Sequence, residues 1–140
     1  MRIEEVIALR LRSDAGIATR VGSRIYPDWG VMNIDEMAPR PFIVFTRISG
    51  GTVNHLGGPT EDTESRFQFD VIADNFTDGK GIASLVRTRL NGWRDVTINP
   101  NVQSCHLQNE FDTVEAPVSG TDRPIFRTTQ DYLIWYYRGD

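Results

Sequence analysis

The chain has 140 residues, a formal net charge of −4, 39% hydrophobic and 24% charged residues. That balance fits one globular domain spanning 1–140 with a modest core. The acidic excess argues against a general nucleic-acid binder, whose affinity rests on clustered Lys and Arg. The lone Cys105 excludes an intrachain disulfide.

No apolar run approaches the roughly 20 residues of a membrane-crossing helix, so no membrane partner is expected. Met1-Arg2-Ile3-Glu4-Glu5 carries two early acids and no signal-peptide core. The expected location is a cytoplasm, or a particle assembled there. Lys80 is the only lysine among the 15 basic residues, so arginine carries the rest. Arginine is enriched at interfaces, where its planar fork makes directed contacts. An arginine-biased genome explains the same count.

Ile3, Val6, Ile7 and Leu11 follow helical spacing and predict a helix over Ile3–Arg12, with acids at its start and Arg10 and Arg12 at its end. Asp14 is placed to cap a short second turn through Val21, which Gly22 stops. Residues 22–41 show no period beyond a short extended piece at Arg24–Pro27. Phe42–Ser49 alternates as a strand, and Gly50–Asp62 reads as a long hairpin loop. Glu64–Ala73 is the next strand, with Phe67, Phe69, Val71 and Ala73 on its core face and Arg66, Gln68, Asp70 and Ile72 facing away.

A helix follows over about Asp78–Asn91, capped by Thr77 or Asp78 and ended at Asn91-Gly92. Val102–Phe111 is a third strand, Asp112–Arg123 a polar loop, and Pro124–Tyr137 a fourth strand. The fourth places Phe126, Thr128, Gln130, Tyr132, Ile134 and Tyr136 on one face. Ile125, Arg127, Leu133, Trp135 and Tyr137 share the other. Aromatics on both faces fit a strand with two neighbours, and its length predicts an end that outruns the sheet. The order helix-strand-strand-helix-strand-strand predicts an α+β fold: a four-stranded, largely antiparallel sheet with two helices on one face.

No catalytic constellation is present. His55 and His106 lack metal-ligand spacing, so no metal is expected. Cys105 and His106 are strand neighbours and face opposite sides, which forbids a dyad. Gly79-Lys80 is followed by Gly81, not by the Ser or Thr of a phosphate loop, and no cofactor is expected. Glu61, Asp62 and Glu64 beside the first loop, and Glu110, Asp112 and Glu115 beside the second, read as solvated surface. As the lining of a channel they would instead repel a nucleic-acid backbone.

Several ordered segments carry a resemblance. Ser13-Asp14-Ala15-Gly16-Ile17, Val21–Pro27, Ala38–Gly50, Arg66–Val71, Val102-Gln103-Ser104 and Asp131–Tyr136 follow the initial helix in turn. Together they resemble a bacteriophage family of minor tail proteins. Its members are tail terminator, tail completion or tail-to-head joining proteins of long-tailed phages and gene-transfer particles. Val31–Glu36 and the length of Asp112–Arg123 depart from the family pattern. The resemblance implies a non-enzymatic virion protein that forms a ring, usually a hexamer, at the head-proximal end of the tail tube. Its implied partners are further copies of itself, the major tail tube protein and a head-closure or neck protein, with DNA only passing through the lumen.

Interface candidates are Thr52, Val53, Asn54, His55 and Leu56 in the first loop and Glu115 and Val118 in the second. Leu133, Trp135 and Tyr137 on the last strand join them, with Trp135 open to a core reading as well. Rival readings are a neck adaptor or head-closure subunit of the same particle, a small ligand-binding domain or enzyme, and an RNA-binding module. The last wants basic and aromatic residues on an exposed sheet face.

Overall fold

The computed structural model describes residues 2–27, 40–55, 58–115 and 124–137. The α+β class holds, but the expected two helices and four strands become three helices and a five-stranded mixed sheet. The additions are the two short pieces the sequence marks: helix α2, Ala15–Val21, and strand β1, Ile25–Tyr26.

Helix α1 spans Ile3–Arg12, with Glu4 and Glu5 in its first turn and Arg10 and Arg12 in its last. It buries Ile3, Val6, Ile7 and Leu11. The Asp14 carboxylate accepts from the Ile17 N–H at 3.0 Å and starts α2. Gly22, at φ 59°, ends it in a conformation that favours glycine.

Strand β1 pairs parallel with β2, Phe42–His55, and this pair makes the sheet mixed. β2 forms an antiparallel hairpin with β3, Gly58–Ala73, and pairing runs out to His55 opposite Gly58. The stretch expected as a long loop, Gly50–Asp62, is therefore mostly a β-arm. Its glycines serve the sheet: a Cβ on Gly50 would lie 2.9 Å from Ser65 Oγ, so only glycine lets the strands approach there.

Helix α3 spans Phe76–Leu90, two residues ahead of its expected start. Asn75, not Thr77 or Asp78, is the cap, its side-chain oxygen accepting from the Asp78 N–H at 2.8 Å. β4, Asn101–Glu115, and β5, Ile125–Tyr137, form the second hairpin. Asp112–Glu115, expected in a loop, belong to β4; Val31–Glu36 and the remainder of that loop, 116–123, lie outside the described residues.

The sheet order is β1-β2-β3-β5-β4. β5 does not outrun the sheet. It is paired with β3 from Phe126 to Tyr137 and with β4 from Ile125 to Tyr137. Its 13 residues fall slightly short of the other long strands, β2, β3 and β4, which run to 14, 16 and 15 residues. The two-neighbour reading of its aromatic faces is the one that holds.

The three helices supply one wall of the main core: Ile7, Leu11, Ile17, Val21, Ile82, Val86 and Leu90 join Ile43, Phe45, Phe67, Phe69, Val71, Tyr132 and Ile134. Phe69 is its centre, stacked on Phe45 at 5.2 Å and edge-on to Tyr132 at 5.3 Å. Burying each such ring contributes about 1.5–3 kcal/mol. The opposite face carries a second, smaller cluster of Phe42, Val44 and Ile72, with Tyr26 and Ile125 packed against it. Ile72, expected to face away from the core, is thus buried at 2% exposure in a core of its own.

Candidate assembly interfaces

The strand register gives the sheet two unlike ends. At one, Tyr137 ends β5 opposite Asp62 of β3. The β2–β3 hairpin continues past that point, pairing Asn54 with Pro59 and His55 with Gly58. This overhang is a two-stranded arm. At the other end Ala73 stands opposite Phe126, and the β4–β5 hairpin continues to Glu115 opposite Ile125. The two hairpins therefore turn at opposite ends of one sheet, the first overhanging as an arm and the second extending by a single residue pair among the described residues.

The expected interface residues divide between these places. Thr52, Val53, Asn54 and His55 belong to the first arm, and Glu115 ends β4 at the opposite end of the sheet. Leu56 and Val118 lie outside the described residues. Leu133, Trp135 and Tyr137 sit on the face away from the helices. Leu133 and Trp135 are half-buried there, and Tyr137 is 42% exposed. Tyr132, Ile134 and Tyr136, on the same strand, are buried in the main core. The register brings Trp135 between Glu64 of β3 and Ser104 of β4.

Sequence reasoning missed the exposed apolar residues outside these places. Phe76 at the start of α3 is 59% exposed, and Val114 of β4, opposite Phe126, is 60% exposed. Both lie towards the Ala73 end. Ile48 of β2 and Phe111 of β4 are 47% and 48% exposed on the two outermost long strands. Placing them on edges needed the strand order, which no local pattern encodes.

Of the acids near the second hairpin, Asp112 is exposed as expected, but it and Glu110 lie on β4 and are bonded to other side chains. The register turns Glu110 and Asp112 towards the helices, opposite Gln130 and Thr128. Glu110 accepts from Arg87 at 3.1 Å and from Gln130 at 2.8 Å. Asp112 accepts from Lys80 at 3.1 Å and from Thr128 at 2.9 Å. Burial alone would raise the Asp112 pKa, but the bonds from Lys80 and Thr128 outweigh it and hold the carboxyl below its ordinary range. Gln130 is fully buried, and its amide also donates to the Ala83 carbonyl at 3.0 Å while accepting from the Tyr132 hydroxyl at 3.0 Å. These bonds tie α3, β4 and β5 together.

An open groove of about 490 Å³ lies near the ends of α1 and α3, with Val6, Leu9, Trp93 and Ile98 along it. Here Arg10 Nε donates to the Arg89 carbonyl at 3.1 Å, and Arg89 Nε donates to the Arg10 carbonyl at 3.0 Å. Each arginine thus satisfies a last-turn carbonyl of the other helix. Arg10 also lies 5.3 Å over the Trp93 ring. Burial, and then the neighbouring Arg89 charge, lower the Arg10 pKa. Ser13 and Asp95 also line the groove; the Ser13 hydroxyl donates to the Arg10 carbonyl at 2.9 Å, and the Asp95 carboxylate accepts from the Thr97 hydroxyl at 2.6 Å.

Cys105 is fully buried opposite Ile134, and burial pushes its thiol up to about 12, so it is unreactive. His106 is exposed on the other face opposite Leu133, as strand alternation requires. No cluster of metal-binding side chains occurs among the described residues.

Comparison with known proteins agrees with this picture of a structural part. No curated protein matches the chain by sequence. A chain from the virion of a native gene transfer agent particle shares the fold, with a TM-score of 0.71 at 17% identity, covering 96% of this chain and 94% of that one. The family model described as tail completion protein gp17 matches residues 5–137. That match spans nearly the entire sequence, so the chain belongs to the tail completion protein gp17 family and is a structural protein of the virion tail.

Proposed function

We propose that this chain forms a closed ring, six copies by the family resemblance, at the head-proximal end of the tail tube. The ring ends tube polymerisation and presents a second surface to a head-closure or neck protein. DNA passes through its lumen without being bound. The observation that carries this reading is that the two hairpins turn at opposite ends of one sheet. A joint must meet two different neighbours at once, and a sheet with two unlike ends supplies both surfaces on one rigid body. The first arm, with the candidate residues Thr52–His55, suits one neighbour. The β4–β5 end, with exposed Phe76 and Val114, suits the other.

Deleting the gene tests this. Particles lacking the protein are expected to carry tails of irregular length without heads. Tails of normal length already joined to heads would overturn the reading.

A further inference from the structure

We infer that the ring closes by pairing the open edge of β2 in one copy with the open edge of β4 in the next. This rests on the ring reading above and names the surfaces that would close it. The sheet order places β2 and β4 towards opposite sides. Among the described residues β1 covers β2 only at Ile43 and Val44, and the outer side of β4 is met by Asp95 at Val102, by the Gly92 N–H on the Cys105 carbonyl, and by the Asn91 side-chain oxygen, which accepts from the Leu107 N–H. Among the described residues no strand pairs with either edge beyond those points. Arg47 to Gly51 on β2 are exposed, and so are Asn109 and Phe111 to Val114 on β4.

Long uncovered edges present unpaired N–H and C=O groups and are templates for another strand. Proteins usually guard them with proline, lysine or bulges. Neither β2 nor β4 contains proline or lysine. Bulges interrupt β2 between Arg47 and Ser49 and β4 between Leu107 and Asn109, leaving Asn109–Glu115 as a regular open run. Each edge also displays an apolar side chain, Ile48 on one and Phe111 on the other.

Strand polarity fits a second copy. β2 is antiparallel to β3, β3 to β5 and β5 to β4, so β2 and β4 run in opposite directions. A rotation about an axis along the strands brings a neighbour's β4 beside β2 in the antiparallel sense the sheet already uses. A closed ring needs unlike surfaces at each joint, which selects this pairing over like-with-like. The β2 sequence holds Arg47 and no acid, whereas β4 holds Glu110, Asp112 and Glu115 and no arginine or lysine. Joining unlike edges is head-to-tail and closes when the rotation is right.

Cysteine pairs in assembled tails test the contact. In a Cys105→Ala background, Ile48→Cys is combined in turn with His106→Cys, Asn109→Cys and Phe111→Cys. Oxidised particles are run on non-reducing gels and imaged by electron microscopy. At least one pair is expected to give a ladder of covalent multimers ending at the ring number, while each single variant gives only monomer. Rings visible by microscopy with no ladder from any pair would overturn the edge contact and leave the ring standing. Dimers from a single variant would show like-with-like pairing and also overturn it. Absence of rings in the parent particles would remove the ring reading and this inference together.

Discussion

The two faces of the sheet are built on different principles. The helix face is a continuous apolar layer from Ile43 and Phe45 through Phe67 and Phe69 to Tyr132 and Ile134. The other face is divided along the strands. Phe42, Val44 and Ile72 form its own small core, and Tyr137 and half-buried Leu133 and Trp135 stand towards the far end. Between them the Asp70 carboxylate, 2% exposed, accepts from Thr129 at 2.7 Å and from Gln68 at 3.2 Å. A continuous layer specifies the fold. A segmented one can hold the sheet at one end and leave side chains for a partner at the other.

The contrast predicts a graded response. Phe69→Ala, at the centre of the helix face, should cost about 3–5 kcal/mol, because it removes a ring packed between two others. Chemical denaturation measures this, and a loss below about 1 kcal/mol would show that the layer is not continuous. Gln130→Leu keeps the volume on that face but leaves the Tyr132 hydroxyl without its acceptor. A loss of about 1–3 kcal/mol is expected, and a neutral result would mean that the network is dispensable.

Trp135→Ala sharpens the comparison from the other side. The residue is half-buried on the segmented face, so the isolated chain should lose less than Phe69→Ala does. Aromatic anchors at interfaces cost about 2 kcal/mol or more when truncated, so incorporation into particles should fall further than stability does. Thermal unfolding and particle incorporation, measured on the same variant, separate these effects. Equal losses in both would return Trp135 to the core.

Asp112→Asn is the smallest expected change, under about 1 kcal/mol at neutral pH, since the Lys80 pair is exposed. The native carboxyl is held below the ordinary value of 3.8, so its contribution is present above that pH. It is lost as pH falls through the lower folded value. The gap between parent and variant should therefore close on acidification below about 3.8, and a gap that widens would contradict the assignment.

Much of the helix face was legible because a single period governs each element. Val6 and Leu11, Ile82 and Val86, and Phe67 and Phe69 declared their sides by spacing alone. The first arm was not legible. Gly50-Gly51 and Gly57-Gly58-Pro59 carry local turn chemistry, and only the partner strand shows that Gly50 makes room for Ser65. Ile72 was placed outside because alternation assigns one core face, whereas this sheet buries part of both. The Asn75 cap was readable: its amide also donates to the Asp78 carboxylate, a reciprocal pair at the helix start. The interface candidates could be placed on elements, but their neighbours in a particle are properties of other chains.

The opposed hairpins have a mechanical consequence. A pull between tube and head would enter at one hairpin and leave at the other, along the strand direction. Within each subunit that load passes from β3 to β5 across the ladder running from Asp62 and Tyr137 to Ala73 and Phe126. Antiparallel hydrogen bonds lie perpendicular to the strands, so tension along the strands shears the whole ladder at once and does not peel it bond by bond. The sheet resists tension like a lap joint, strongest along its own strands.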